Sequence, residues 1–73
     1  MKIRIEGFPG SVNIFKIEQL FTQYGEVTQS EKKRDEGLAF ITMPKTVQGR
    51  LAIQELNGMK FMRRVIDVKE EVE

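Results

Sequence analysis

The chain has no cysteine and no histidine among its 73 residues. Without cysteine there is no disulfide to stiffen a small domain and no thiolate to bind a metal. Without histidine as well, the usual zinc ligands are missing, and neither residue is available as nucleophile or base. No carboxylate pair is singled out by its spacing, so the parts of an enzyme are lacking and no cofactor is expected. No apolar run approaches the roughly 18 residues of a membrane span, and no signal-peptide pattern opens the chain. The expectation is an intracellular protein, cytoplasmic or, in a eukaryote, nuclear. A large excess of one charge is also missing: 12 Lys and Arg face 11 Asp and Glu, for a formal net charge of +1. Attraction for a polyanion must then come from local placement and not from the total.

What is present suffices for one core. Hydrophobic residues make up 40% of the chain and charged residues 32%, and residues 1–73 are expected to form a single small domain. Ile3 and Ile5 alternate with Lys2, Arg4 and Glu6 as in a strand with two different faces. After Phe8-Pro9-Gly10, Ile14, Ile17, Leu20, Phe21 and Tyr24 recur at helical spacing behind a cap at Ser11 or Asn13, and Gly25 is expected to stop that helix. Glu26 to Arg34 reads as a polar edge strand, with Asp35-Glu36-Gly37 as the hairpin connection that follows. Leu38, Phe40 and Thr42 alternate with Ala39, Ile41 and Met43, which makes the next strand central. A second helix capped at Thr46 places Gly49, Ala52, Ile53 and Leu56 on its inner face. Asn57-Gly58 ends it, and a last strand runs from Val65 to Val68 with Ile66 and Val68 inward.

The order β-α-β-β-α-β is that of the ferredoxin-like α+β sandwich. It has a four-stranded antiparallel sheet in the order 4-1-3-2, with both helices on one face. The other face is open, and Leu38 and Phe40 lie on it where polar side chains are the norm. An aromatic on an open central strand offers a flat surface on which a base can stack. A two-layer domain with a stray Phe would show the same pattern.

The chain resembles the RNA recognition motif family over nearly its whole length. In the family's eight-residue signature, K/R-G-F/Y-G/A-F-V-x-F/Y, Gly37, Ala39, Phe40 and Ile41 fit, while Glu36, Leu38 and Met43 depart. The six-residue signature corresponds to Ile3-Arg4-Ile5-Glu6-Gly7-Phe8, with Arg4 in place of the usual aromatic. Ile17 to Gly25 and Ala52 to Gly58 match the family's two helices, and Phe61, Ile66 and Val68 fall at its spacing. The resemblance implies single-stranded RNA as partner, contacted by Arg4, Leu38 and Phe40. Only Phe40 survives of three stacking positions. At about 1–3 kcal/mol per stacked base, losing two removes about 2–6 kcal/mol, or one to four decades of affinity. Binding is therefore expected to be weak and of low sequence selectivity.

The topology also brings Lys32, Lys33 and Arg34 to the same end of the sheet as Lys60, Arg63 and Arg64, an expected cation cluster for phosphates. A second class of partner is open. Phe15 and Leu51 lie off their helical stripes and are candidate anchors for a protein segment, and Leu38 and Phe40 could pair sheet to sheet with a second copy.

Overall fold

The structure is a computed structural model that describes residues 1–33 and 36–72. Its elements are β1 (Lys2–Glu6), α1 (Ile14–Thr22), β2 (Gln29–Lys32), β3 (Leu38–Thr42), α2 (Thr46–Leu56), β4 (Lys60–Phe61), β5 (Arg64–Val65) and β6 (Asp67–Glu70). Four strands form an antiparallel sheet in the order β2-β3-β1-β6, while β4 and β5 form a separate two-stranded hairpin. With β6 as the last sheet strand, this is the ferredoxin-like order expected.

The alternation in β1 and β3 sorts the sheet's two faces. Ile3, Ile5, Ala39 and Ile41 are fully buried beneath the helices, and Val68 of β6 joins them on the same side. From the helical layer, Ile17 and Phe21 of α1 and Ala52 and Leu56 of α2 complete the core with Phe8, Val12, Met43 and Ile66. No polar or charged side chain is buried among the described residues, so apolar burial alone carries this core. Gly49 is buried in α2, and the Met1 side chain occupies the place its Cβ would take. Tight backbone packing also shapes one end of the sheet. The Gly7 N–H donates to the Gly37 carbonyl at 2.9 Å, and a Cβ on Gly37 would stand 2.1 Å from the Phe8 carbonyl oxygen.

Several boundaries differ from the pattern in the sequence. Helix α1 ends at Thr22, before Gly25, with the Tyr24 N–H closing the turn on the Phe21 carbonyl at 2.9 Å. Asn13 is its cap, accepting from the Phe15 N–H at 2.8 Å. Thr46 is not the cap of α2. It is the first helical residue, and Lys45 precedes it without a side-chain hydrogen bond. The polar second strand shortens to Gln29–Lys32, because Glu26 and Val27 belong to the loop fastened by Gln48, whose side-chain oxygen accepts from the Glu26 N–H. Of the expected connection, Asp35 lies outside the described residues. The last strand begins at Asp67, not Val65. Met62 and Arg63 adopt positive φ (49° and 71°) and fold Lys60–Val65 back on itself, so Val65 pairs with Lys60 instead of joining the sheet. Ile66 and Val68 point inward as expected, and Phe61 packs against the core.

Candidate functional site

The face of the sheet opposite the helices is uncovered, and its side chains form three rows fixed by strand register. In the middle row Glu31, Phe40, Arg4 and Lys69 lie side by side from β2 to β6. One row toward the N-terminus of β1 are Gln29, Thr42 and Lys2, and beside Lys2 the Glu71 N–H donates to the Lys2 carbonyl at 2.8 Å. At the other end Lys33, Leu38, Glu6 and Asp67 follow one another. Arg4, Leu38 and Phe40 thus share one face, Arg4 directly opposite Phe40.

Arg4 and Phe40 sit in different electrostatic surroundings. The Arg4 Nε donates to a Glu6 carboxylate oxygen at 2.8 Å, and its Nη1 lies 3.9 Å from Glu71. The hydrogen bond to Glu6 raises the guanidinium pKa above its usual value, against partial desolvation, and the charges of Glu6 and Glu71 act in the same direction. Lys69 also approaches Glu6, at 3.9 Å. The β1–β6 half of the open face is therefore a self-neutralising patch of Arg4, Lys69, Glu6, Glu71 and Asp67. Exposed pairs of this kind stabilise by about 0–1 kcal/mol each. Their larger effect is to leave the guanidinium already engaged.

Phe40 has cations around it. The Lys2 ammonium stands 4.8 Å from the ring centroid and the Lys33 ammonium 5.9 Å. Lys33 is shared with Glu31, 3.2 Å away. No carboxylate among the described residues lies within 4 Å of the Lys2 ammonium. A cation over an exposed ring contributes about 0.5–1 kcal/mol, less than the about 1–3 kcal/mol of a stacked base. The ring is therefore held by its lysines only weakly. Beside the ring, toward β2, lies an open depression of about 580 Å³ lined by Lys2, Thr28, Gln29, Glu31, Phe40 and Thr42. Its walls carry both donors and acceptors.

Among the described residues, the expected cations fall on different parts of the structure. Lys32 pairs in register with Ala39, so its side chain leaves the sheet on the helical side, and its ammonium donates to the Gly10 carbonyl oxygen. Arg34 lies outside the described residues. Lys60, Arg63 and Arg64 belong to the β4–β5 hairpin, which leads directly into the β6 edge, whereas Lys33 extends from the β2 edge. Three strand spacings, about 14 Å at roughly 4.8 Å each, separate the two edges. Both lie at the end of the sheet marked by Gly7, where a Cβ would stand 2.8 Å from the Val65 carbonyl oxygen. On the helical layer Phe15 is 66% exposed and Leu51 44%. Lys2 was not among the expected site residues. Its signal was its parity: on β1 it faces the same way as Arg4.

A sequence model described as the RNA recognition motif matches residues 3–67. Among solved structures, the chain is similar to one described as RNA binding protein PG1, at 29% identity and a TM-score of 0.88, covering all of this chain and 95% of that one. It superposes at a TM-score of 0.90 on the RRM domain of Puf1 from S. pombe, at 16% identity, covering 100% of this chain and 99% of that chain. The RRM of Rna15, whose structure holds bound RNA (GU), gives a TM-score of 0.89 at 19% identity, covering 99% of this chain and 83% of that chain. The two matches of low identity speak for the fold alone.

Proposed function

The chain belongs to the RNA recognition motif family, and on that premise we propose that it is a binding module, not an enzyme, that takes single-stranded RNA on its open sheet face. One observation carries the proposal: Phe40 lies on the uncovered face of a central strand with the ammonium groups of Lys2 and Lys33 within 6 Å of its ring. An aromatic platform ringed by cations suits a base attached to a phosphate. The affinity is low, because the remaining two stacking positions hold Arg4, engaged by Glu6, and Leu38, which offers apolar contact only. Selectivity is low for the same reason, since stacking accepts every base.

The test is an amide NMR titration with a mixed single-stranded RNA pool at low salt, on the wild-type chain and on Phe40→Ala. Shifts are expected on β1 and β3 around Arg4, Leu38 and Phe40. The variant should lose about 1–3 kcal/mol of binding free energy and keep its amide dispersion. Unchanged affinity in Phe40→Ala would remove the sheet as the binding surface. A second reading rests on Phe15, two-thirds exposed on α1, with Leu51 on α2. If RNA leaves the sheet silent, these are the positions at which a protein partner should be sought.

A further inference from the structure

We propose that the RNA footprint is confined to the part of the open face around Phe40, from β2 to the N-terminal end of β1, where Lys2 is its principal phosphate ligand and Lys33 its second. The inference rests on the RNA reading above and adds where, and with how many charges, the strand is held. On the β6 side, around the C-terminal end of β1, Glu6, Asp67 and Glu71 outnumber Arg4 and Lys69, and both cations are already directed at Glu6. A phosphate arriving there meets three carboxylates and no free cation among the described residues. Around Phe40, Lys2 lies over the ring with no carboxylate within 4 Å among the described residues. Its row holds Thr42 and Gln29 on one side and Glu71 on the other, and Glu31 is the carboxylate beside the ring, shared with Lys33 at 3.2 Å. The depression next to Phe40 has room for a second base but ends at the β2 edge. A base that takes the ring displaces the Lys2 ammonium to that base's rim, where its own or its neighbour's phosphate lies within reach of the four-carbon stem. The footprint is then about two nucleotides, and the phosphates held are about two.

Counterion release makes this measurable. Each phosphate contact on a single strand contributes about −0.7 to the slope of log K against log salt, so two contacts give about −1.4 and six give about −4. The experiment titrates the chain with a uridine dinucleotide, tetranucleotide and octanucleotide, each with a 5′-phosphate so that the shortest carries two phosphates, follows amide shifts, and repeats the octanucleotide over a salt series. The same residues should shift with all three ligands, affinity should grow only with the number of binding registers, and the slope should lie near −1.4. Lys2→Gln should weaken binding about tenfold, the worth of one charged hydrogen bond, and flatten the slope by about 0.7. Arg63→Gln with Arg64→Gln should change neither. A slope near −4, shifts spreading to Asp67 and Lys69 with the longer ligands, or an unaffected Lys2→Gln would overturn the confined footprint while leaving RNA binding intact. If no ligand shifts Phe40 or its neighbours, the RNA reading fails and the footprint with it. The length series and slope come from the unmodified chain, so the test stands even if Lys2→Gln disturbs β1.

Discussion

At the scale of single residues, two kinds of position matter: those that the proposed RNA site uses, and those where a side chain would not fit. Phe40 and Lys2 are of the first kind. Gly7 is of the second. Its φ of +95° lies where L side chains are strained, and a Cβ would stand 2.8 Å from the Val65 carbonyl oxygen. That oxygen is backbone, held between the β4–β5 hairpin and Ile66, and it cannot turn away as a flexible side chain could. Strain of this sort costs about 1–3 kcal/mol, and relief would shift Val65 and Ile66 at the head of β6. Gly7→Ala should therefore lower the urea midpoint by that amount of stability with an unchanged m-value, read from equilibrium unfolding. Because Gly7 is also bonded to Gly37, the variant should broaden the amide signals of the β3 start while leaving those of α2 sharp.

At the scale of elements, the two helices differ in how they begin. Helix α1 has Asn13 in extended geometry with its side chain on the Phe15 N–H, whereas α2 starts after Lys45, extended at φ −94° and ψ 109° but bonding no helix N–H through its side chain. Asn13→Ala should cost about 1 kcal/mol, and Lys45→Asp should return a similar amount by supplying the missing acceptor and a negative charge at the helix N-terminus. For a domain of this size each should move the melting temperature by roughly 4–8 °C in its own direction, measured by circular dichroism. The elements also show what can be read from sequence. Period-2 alternation placed Arg4, Leu38 and Phe40 on one face because a buried opposite face fixes the register of β1 and β3. Helical spacing placed Ile17, Phe21, Ala52 and Leu56 inward for the same reason. The β4–β5 hairpin was not legible, since its turn uses Met62 and Arg63 at positive φ without the glycine or asparagine that would announce it. Nor was Lys32's face, because a strand as polar as Gln29–Lys32 has no hydrophobic pattern to fix which side chains point where. Lys32 turns to the helical side because its strand partner is the buried Ala39, a fact of tertiary register.

At the scale of the whole molecule, charge is arranged more than accumulated. The described residues extend 28 × 22 × 21 Å, and the formal net charge of the chain is +1. The hairpin cations lead into the β6 edge and Lys33 extends from the β2 edge, with about 14 Å of strand spacing between the two edges. At physiological ionic strength the Debye length is about 8 Å, so the two groups act independently, whereas at 0.01 M it is about 30 Å and spans the molecule. A rigid duplex presents its phosphates on the outside and its bases stacked within, so it cannot use the Phe40 ring. A single strand can lay a splayed base on Phe40 and gain contact that salt does not screen. At about 0.15 M salt, single-stranded RNA should therefore still shift the amides around Phe40, while duplex RNA of the same length and base composition should leave them unmoved. Equal shifts from both forms would mean that charge, and not the exposed ring, selects the ligand. The comparison isolates the ring because the duplex carries about twice the phosphates of the single strand, so charge alone would favour the form that leaves Phe40 unmoved.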